Sequence, residues 1–200
     1  ANENAVRIAR LASGRPRGAI ITRERSYHGA THLAMALSGD ARTAAQVDAA
    51  ACGVSHVPPP YAYRCPFGSR DARACAERAA AAVLERIDAL GAANVAAVLM
   101  EPDAGTNGIV APENYWPALR AHTAARGVAL IADEIMSGFG RCGEWFAWQR
   151  YGAAGRPDIM TLAKGLTGAA APLGAVVLSR EIAARLEHRM LDAGLTYCGH

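Results

Sequence analysis

The sequence predicts an α/β domain in which a mostly parallel sheet is flanked by helices, and three observations carry that prediction. Short, nearly unbroken apolar runs recur at 19–22, 95–100, 128–132, 159–162 and 175–178. Segments with helical apolar spacing lie between most of them. The runs do not alternate apolar with polar, as a strand with one wet face would. Strands buried on both faces belong to parallel sheets covered by helices.

Taken in order, residues 2–12 place Val6, Ile8 and Leu11 on an amphipathic helix that stops near Gly14 and Pro16. The run 19–22 follows as a buried strand. Residues 29–38 form a second helix, ended by Ser38-Gly39-Asp40. From 40 to 69 there is little periodicity, and Pro58-Pro59-Pro60 forces extended backbone, so a long loop is expected there. The strongest helix runs from 71 to 90, with Ser69 as its expected cap, a stripe of Ala76, Val83, Leu84, Ile87 and Leu90, and Gly91 as its stop. Strand 95–100, a helix over 113–126 closed by Gly127, and strands 128–132, 159–162 and 175–178 come next. A last helix is expected from about 180 to 191, and no internal repeat is present.

Composition bounds the function. Two hundred residues with 52% hydrophobic content suffice for one domain with a sizeable core. A charged fraction of 20% and a mean hydropathy of +0.05 exclude extended disorder. No apolar run reaches the roughly 18–20 residues that span a bilayer, and the first ten residues hold no apolar leader, so neither membrane nor secretion is expected. The net charge of +3 is mild and its arginines are scattered, which gives no footprint for nucleic acid. The five cysteines (Cys52, Cys65, Cys75, Cys142, Cys198) are odd in number, irregular in spacing and without C-x-x-C. That pattern predicts neither a disulfide framework nor a zinc ribbon, and it points to a reducing, cytoplasmic compartment. His32, His56, His122 and His188 lack ligand spacing, so no metal is expected.

Of the 21 basic residues all but Lys164 are arginine. A lysine survives such a drift most readily where arginine cannot substitute, because only the amine can lose its proton and attack a carbonyl. Lys164 also sits just after the strand at 159–162. Glu101 follows the strand at 95–100, and Asp133 follows the one at 128–132. Ligands bind at the carboxyl ends of parallel strands. Each residue alone reads equally well as a cap or a surface group; three titratable groups at one sheet edge read as a site. Trp145, Phe146 and Trp148 are expected to pack in the core or at an interface.

The segment Asp133-Glu134-Ile135-Met136-Ser137-Gly138-Phe139-Gly140-Arg141-Cys142-Gly143, followed by Pro157-Asp158-Ile159-Met160-Thr161-Leu162-Ala163-Lys164-Gly165-Leu166 and Pro172-Leu173-Gly174-Ala175, resembles the signature of class III aminotransferases. These are pyridoxal-phosphate enzymes of fold type I. Ser26-Tyr27-His28-Gly29-Ala30-Thr31, Ala1-Asn2-Glu3 and Thr196-Tyr197-Cys198-Gly199-His200 resemble further family segments.

The resemblance implies that residues 1–200 are the pyridoxal-phosphate-binding large domain, incomplete at both ends, and inactive by themselves. It implies that Lys164 holds pyridoxal 5'-phosphate as an aldimine and then moves the substrate proton. Asp133 would pair with the pyridinium nitrogen, with Tyr27 on one ring face and Ile135 on the other. His28 and Gly29 belong to the same cofactor-binding segment, His28 being expected to bond to backbone in a tight turn. Thr196 would hold the phosphate of a neighbouring subunit, hence a homodimer. Glu101 would lie near the substrate. The implied reaction moves an amino group from an amine or ω-amino acid to a 2-oxo acid. Tyr63-Arg64-Cys65-Pro66-Phe67-Gly68 resembles the stretch of pyruvate-dependent members. An aminomutase, a dialkylglycine-type decarboxylase and a non-catalytic remnant stay open as alternatives.

Overall fold

The computed structural model of the chain describes residues 1–191 and Gly194. In chain order the elements are α1 (Asn2–Ala12), β1 (Ala19–Arg23), α2 (His32–Leu37), α3 (Ala41–Ala44), β2 (Val54–Val57), α4 (Ala72–Leu90), β3 (Val95–Met100), β4 (Asp103–Ala104), β5 (Ile109–Val110), α5 (Tyr115–Ala125), β6 (Ala129–Asp133), β7 (Ile159–Leu162), β8 (Ala175–Leu178) and α6 (Arg180–Ala184). The main sheet has six strands in the order β2-β1-β3-β6-β7-β8. Every neighbouring pair is parallel except β7 and β8. The expected α/β architecture is therefore present.

Two apolar layers hold helices to the sheet. On one face Val83 and Ile87 of α4 and Trp116 and Leu119 of α5 pack with Val98, Met100 and Leu130 of the strands. On the other, Val6 and Ile8 of α1, Leu37 of α2 and Ile182 of α6 pack with Ile20, Leu99, Ile131 and Ile159. All six residues of β3 are buried, as its position at the centre requires. The chain leaves β1 to one side for β2 and returns to its other side for β3. That reversal opens a crevice at the carboxyl ends of β1 and β3, where sheets of this kind bind ligands.

Several local expectations need correction. The segment 40–69 is not one loop: it holds α3, β2 and a 3-10 turn at Ala62–Arg64. β2 is an edge strand of four residues, and Ser55 and His56 in its middle hide the apolar signal. The second helix spans only His32–Leu37. α4 is capped by Asp71, whose carboxylate accepts from Ala74 N at 2.8 Å, and not by Ser69. Ser69 instead accepts from Asp71 N at 3.1 Å and orients the cap. The last helix stops at Ala184, short of the expected 191. Cys65 and Cys75 are joined as a disulfide with Cα atoms 6.0 Å apart, against the cysteine expectation. An irregular cysteine pattern does not reveal a pairing made by one 3-10 turn folding back on the start of α4. Among the described residues no helix is long and apolar enough to cross a membrane.

Candidate active site

Asp133 ends β6 with 3% of its surface exposed. Its Oδ2 accepts from Asn2 Nδ2 at 2.7 Å and faces His28 Nδ1 at 2.7 Å, and its Oδ1 accepts from Ile135 N at 3.0 Å. An ionised carboxylate only accepts, so the Nδ1 proton belongs to this contact. The other ring nitrogen, Nε2, lies 3.1 Å from Thr22 Oγ1, whose hydroxyl donates to it. In this tautomer His28 is neutral. Asp133 is thus a buried anion whose three direct donors are all uncharged. Its carboxylate has lone pairs left and no cation bonded to it. A protonated ring nitrogen in front of it supplies the missing positive charge and N–H.

Asn2 does more than donate to Asp133. Its second amide hydrogen goes to His28 O at 2.8 Å, and its Oδ1 accepts from Thr161 Oγ1 at 2.8 Å. The first turn of α1 therefore ties the ends of β6 and β7 to the segment after β1. Glu3, the next residue, accepts from Thr31 Oγ1 at 2.5 Å and from Leu33 N and Ala34 N, so it satisfies the start of α2.

Lys164 follows β7 after one residue and opens a 3-10 turn to Thr167. Its φ is +42°, in the left-handed region that non-glycine residues rarely adopt, at a cost of about 1–3 kcal/mol. The following Gly165 is required by crowding: a Cβ there would lie 2.8 Å from Phe139 Cβ and 2.9 Å from its ring. Phe139, itself at φ +60° and edge-on to Phe146, thus presses the backbone that carries the lysine.

A cavity of about 510 Å³ collects these groups. Tyr27, His28, Gly29, Glu101, Asp133, Ile135 and Lys164 line it, together with Arg42, Gly105, Thr106 and Met136. A second cavity of about 360 Å³, walled by Phe139, Gly140 and Arg141, shares Ile135, Met136 and Lys164 with the first. Lys164 therefore stands between two spaces. A larger cavity of about 940 Å³ beside α2 and α3 contains none of the lysine, Asp133 or Tyr27. Size alone does not mark the chemistry here.

Glu101, directly after β3, is 4% exposed. Burial pushes its carboxyl up, while Arg23 and then His28 draw it back down. Glu134, beside Asp133 in sequence, turns away from the cavity. Its carboxylate accepts from Ser137 Oγ at 2.5 Å, Ala147 N at 3.1 Å and Trp148 N at 2.9 Å, and burial raises its pKa. It braces the loop after β6.

The seven described residues singled out from sequence meet at one cavity. The eighth, Thr196, lies outside the described residues. The expectation for His28 is corrected: its ring binds the Asp133 carboxylate and the Thr22 hydroxyl rather than backbone. Asn2, Arg23 and Arg42 were not anticipated. Asn2 belongs to a family-like triplet that carried no assigned role. Arg42 lies on a helix of four residues, too short to leave a period, and its guanidinium lies 5.7 Å from the Tyr27 ring centroid. It also pairs with Asp40 and holds that carboxyl down at about 2. Trp145 is 71% exposed, whereas Trp148 packs against the core and Phe146 against Phe139.

The sequence pattern of the class-III aminotransferases matches residues 1–200. This chain belongs to the class-III aminotransferase family. Among relatives, the putrescine–pyruvate aminotransferase of Pseudomonas aeruginosa is 38% identical over all of this chain, which covers 44% of that protein. Among solved structures, an (S)-enantioselective ω-transaminase from Thermomicrobium roseum superposes with a TM-score of 0.89 at 36% identity, over 100% of this chain and 45% of that one. The taurine:2-oxoglutarate aminotransferase of Bifidobacterium kashiwanohense, determined with pyridoxal phosphate and glutamate, gives 0.88 at 38% identity over 98% and 44%. This class-III aminotransferase chain thus spans a little under half the length of the relatives it matches.

Proposed function

We propose that residues 1–200 form the cofactor-binding large domain of a pyridoxal-phosphate-dependent aminotransferase that transfers an amino group from an amine or ω-amino acid donor to a 2-oxo acid, with pyruvate as the favoured acceptor. One observation carries the reading: the only lysine and a buried carboxylate with exclusively uncharged donors face the same cavity. Those residues fit the cofactor. Lys164 Nζ would hold it, Asp133 would accept from its ring nitrogen, and Tyr27 and Ile135 would bound the ring. When bound, pyridoxal phosphate supplies an electrophilic carbonyl and a ring that takes up electron density.

The remaining chemistry belongs to the protein. Once free of the cofactor, the Lys164 amine takes the proton from the substrate α-carbon and later returns it. The strained backbone at 164 fixes the direction from which that amine acts. Asp133 stays anionic and keeps its partner nitrogen protonated, while Asn2 and His28 fix the plane of the carboxylate. Glu101 lies at the substrate side of the cavity.

Pyruvate rests on the 63–68 segment and on the acceptor in the name of the Pseudomonas aeruginosa relative. A homodimer rests on the resemblance of the Thr196 segment, and a cytoplasmic location on the sequence pattern; the Cys65–Cys75 pair weighs against a strictly reducing setting. The test is full-length protein loaded with pyridoxal phosphate, given diamines or ω-amino acids with pyruvate or 2-oxoglutarate. Stoichiometric alanine from pyruvate supports the reading. Product formed with no oxo acid present points to the aminomutase instead, and release of carbon dioxide to the decarboxylase.

A further inference from the structure

Arg23 closes β1 beneath the cavity and is completely buried. Its Nη2 donates to Glu101 Oε2 at 3.2 Å, while its Nε and Nη1 have no partner. The Tyr115 hydroxyl of α5, which also neighbours the guanidinium, donates to Met100 Sδ at 4.0 Å. A buried ion pair with orphaned N–H groups is a poor stabiliser; apolar replacements of equal volume often do as well or better. Stability therefore gives no reason for a charge at this position. Glu101 does, because its carboxylate lines the same cavity as Lys164, Asp133, Tyr27 and Arg42.

We propose that Arg23 is a positioning residue for the transamination site: it holds Glu101 as an oriented anion in the cavity wall, where Glu101 attracts the ammonium end of the incoming donor. The inference rests on the reading of this cavity as the aminotransferase site. Glu101 is surrounded from several elements. Arg23 of β1 and His28 after it favour the anion, Asp133 at the end of β6 opposes it, and burial opposes it most. Of these, Arg23 alone is a permanent cation in direct contact. Without it, burial and Asp133 act together and the carboxyl takes a proton.

The experiment uses the full-length holoenzyme and its Arg23→Met, Arg23→Lys and Glu101→Gln variants. Infrared difference spectra across pH follow the carbonyl band of protonated Glu101, identified by its loss in Glu101→Gln. In Arg23→Met the midpoint is expected to rise by about one pH unit or more, with Arg23→Lys close to the parent. KM for a diamine donor rises several-fold in Arg23→Met and Glu101→Gln alike, with kcat changing less. An unmoved midpoint overturns the proposal. So does a rise in Arg23→Lys as large as in Arg23→Met. Should Arg23→Met not fold, the double variant with Glu101→Gln decides: folding of the double supports a charge-holding role, and its failure shows that Arg23 serves packing. A parent that binds no cofactor and transfers no amino group sinks the aminotransferase reading itself, whatever the midpoint does.

Discussion

Lys164 and Asp133 answer to different physical demands. The amine needs reach and a free lone pair, and its residue is exposed at the junction of two cavities. The carboxylate needs the reverse: burial, fixed orientation and a permanent charge. In the full-length protein, Lys164→Ala should abolish transfer and the borohydride-trapped mass adduct of the cofactor. Arg should not restore either, since a guanidinium does not form the imine. Normal turnover in the Ala variant would remove the lysine from the mechanism. Asp133→Asn keeps the shape and loses the charge. Cofactor should bind more weakly, and proton abstraction should slow by roughly two to four powers of ten, as when preorganised electrostatic stabilisation is removed. Single-turnover absorbance changes read that step directly. A loss of only a few-fold would leave Asp133 as a structural acceptor for Asn2, His28 and Ile135 N.

At the level of elements, the strand ends do the positioning. β1, β3, β6 and β7 deliver Arg23, Glu101, Asp133 and Lys164 within a few residues of their last pairings. Lys164 is also held from behind, where Phe139 occupies the place of a Gly165 side chain. Gly165→Ala should force Phe139 or the lysine backbone to move, costing about 1–3 kcal/mol of stability by overpacking. Displacement of the amine should lower kcat about tenfold or more while cofactor is retained. Unchanged kcat would mean that Phe139 yields and Lys164 does not feel the contact. The long apolar strands were legible in sequence because β3 and β7 are apolar or nearly so from end to end. β2 was not, since an edge strand carrying Ser55 and His56 has no apolar run to show. The site was legible where chemistry sits next to a strand end, as with Glu101, Asp133 and Lys164. It was illegible for Asn2 and Arg23, whose roles exist only through partners far along the chain.

For the whole molecule, the Cys65–Cys75 link ties the segment before α4 to its first turn across 10 residues. Closing so short a loop in the unfolded chain stabilises the fold by about 2–3 kcal/mol. Under non-reducing conditions Cys65→Ser should therefore lower the thermal midpoint of the full-length protein, and a reductant should erase the difference. Mass counting of alkylated thiols reports whether the bond is present; a midpoint that ignores both would show that the link bears no strain of unfolding. The contacts of Asn2 have a consequence for assembly. Asn2 meets Asp133 across 131 residues and Thr161 across 159, and His28 meets Asp133 across 105. Lys164 lies instead in the return between β7 and β8, which pair directly with each other. Closing a long loop is the slow, entropically expensive event in folding, and a short return is the quick one. The loop of the reactive amine can therefore form before the carboxylate receives its donors, and a cofactor arriving early would meet a nucleophile before the pocket that orients it.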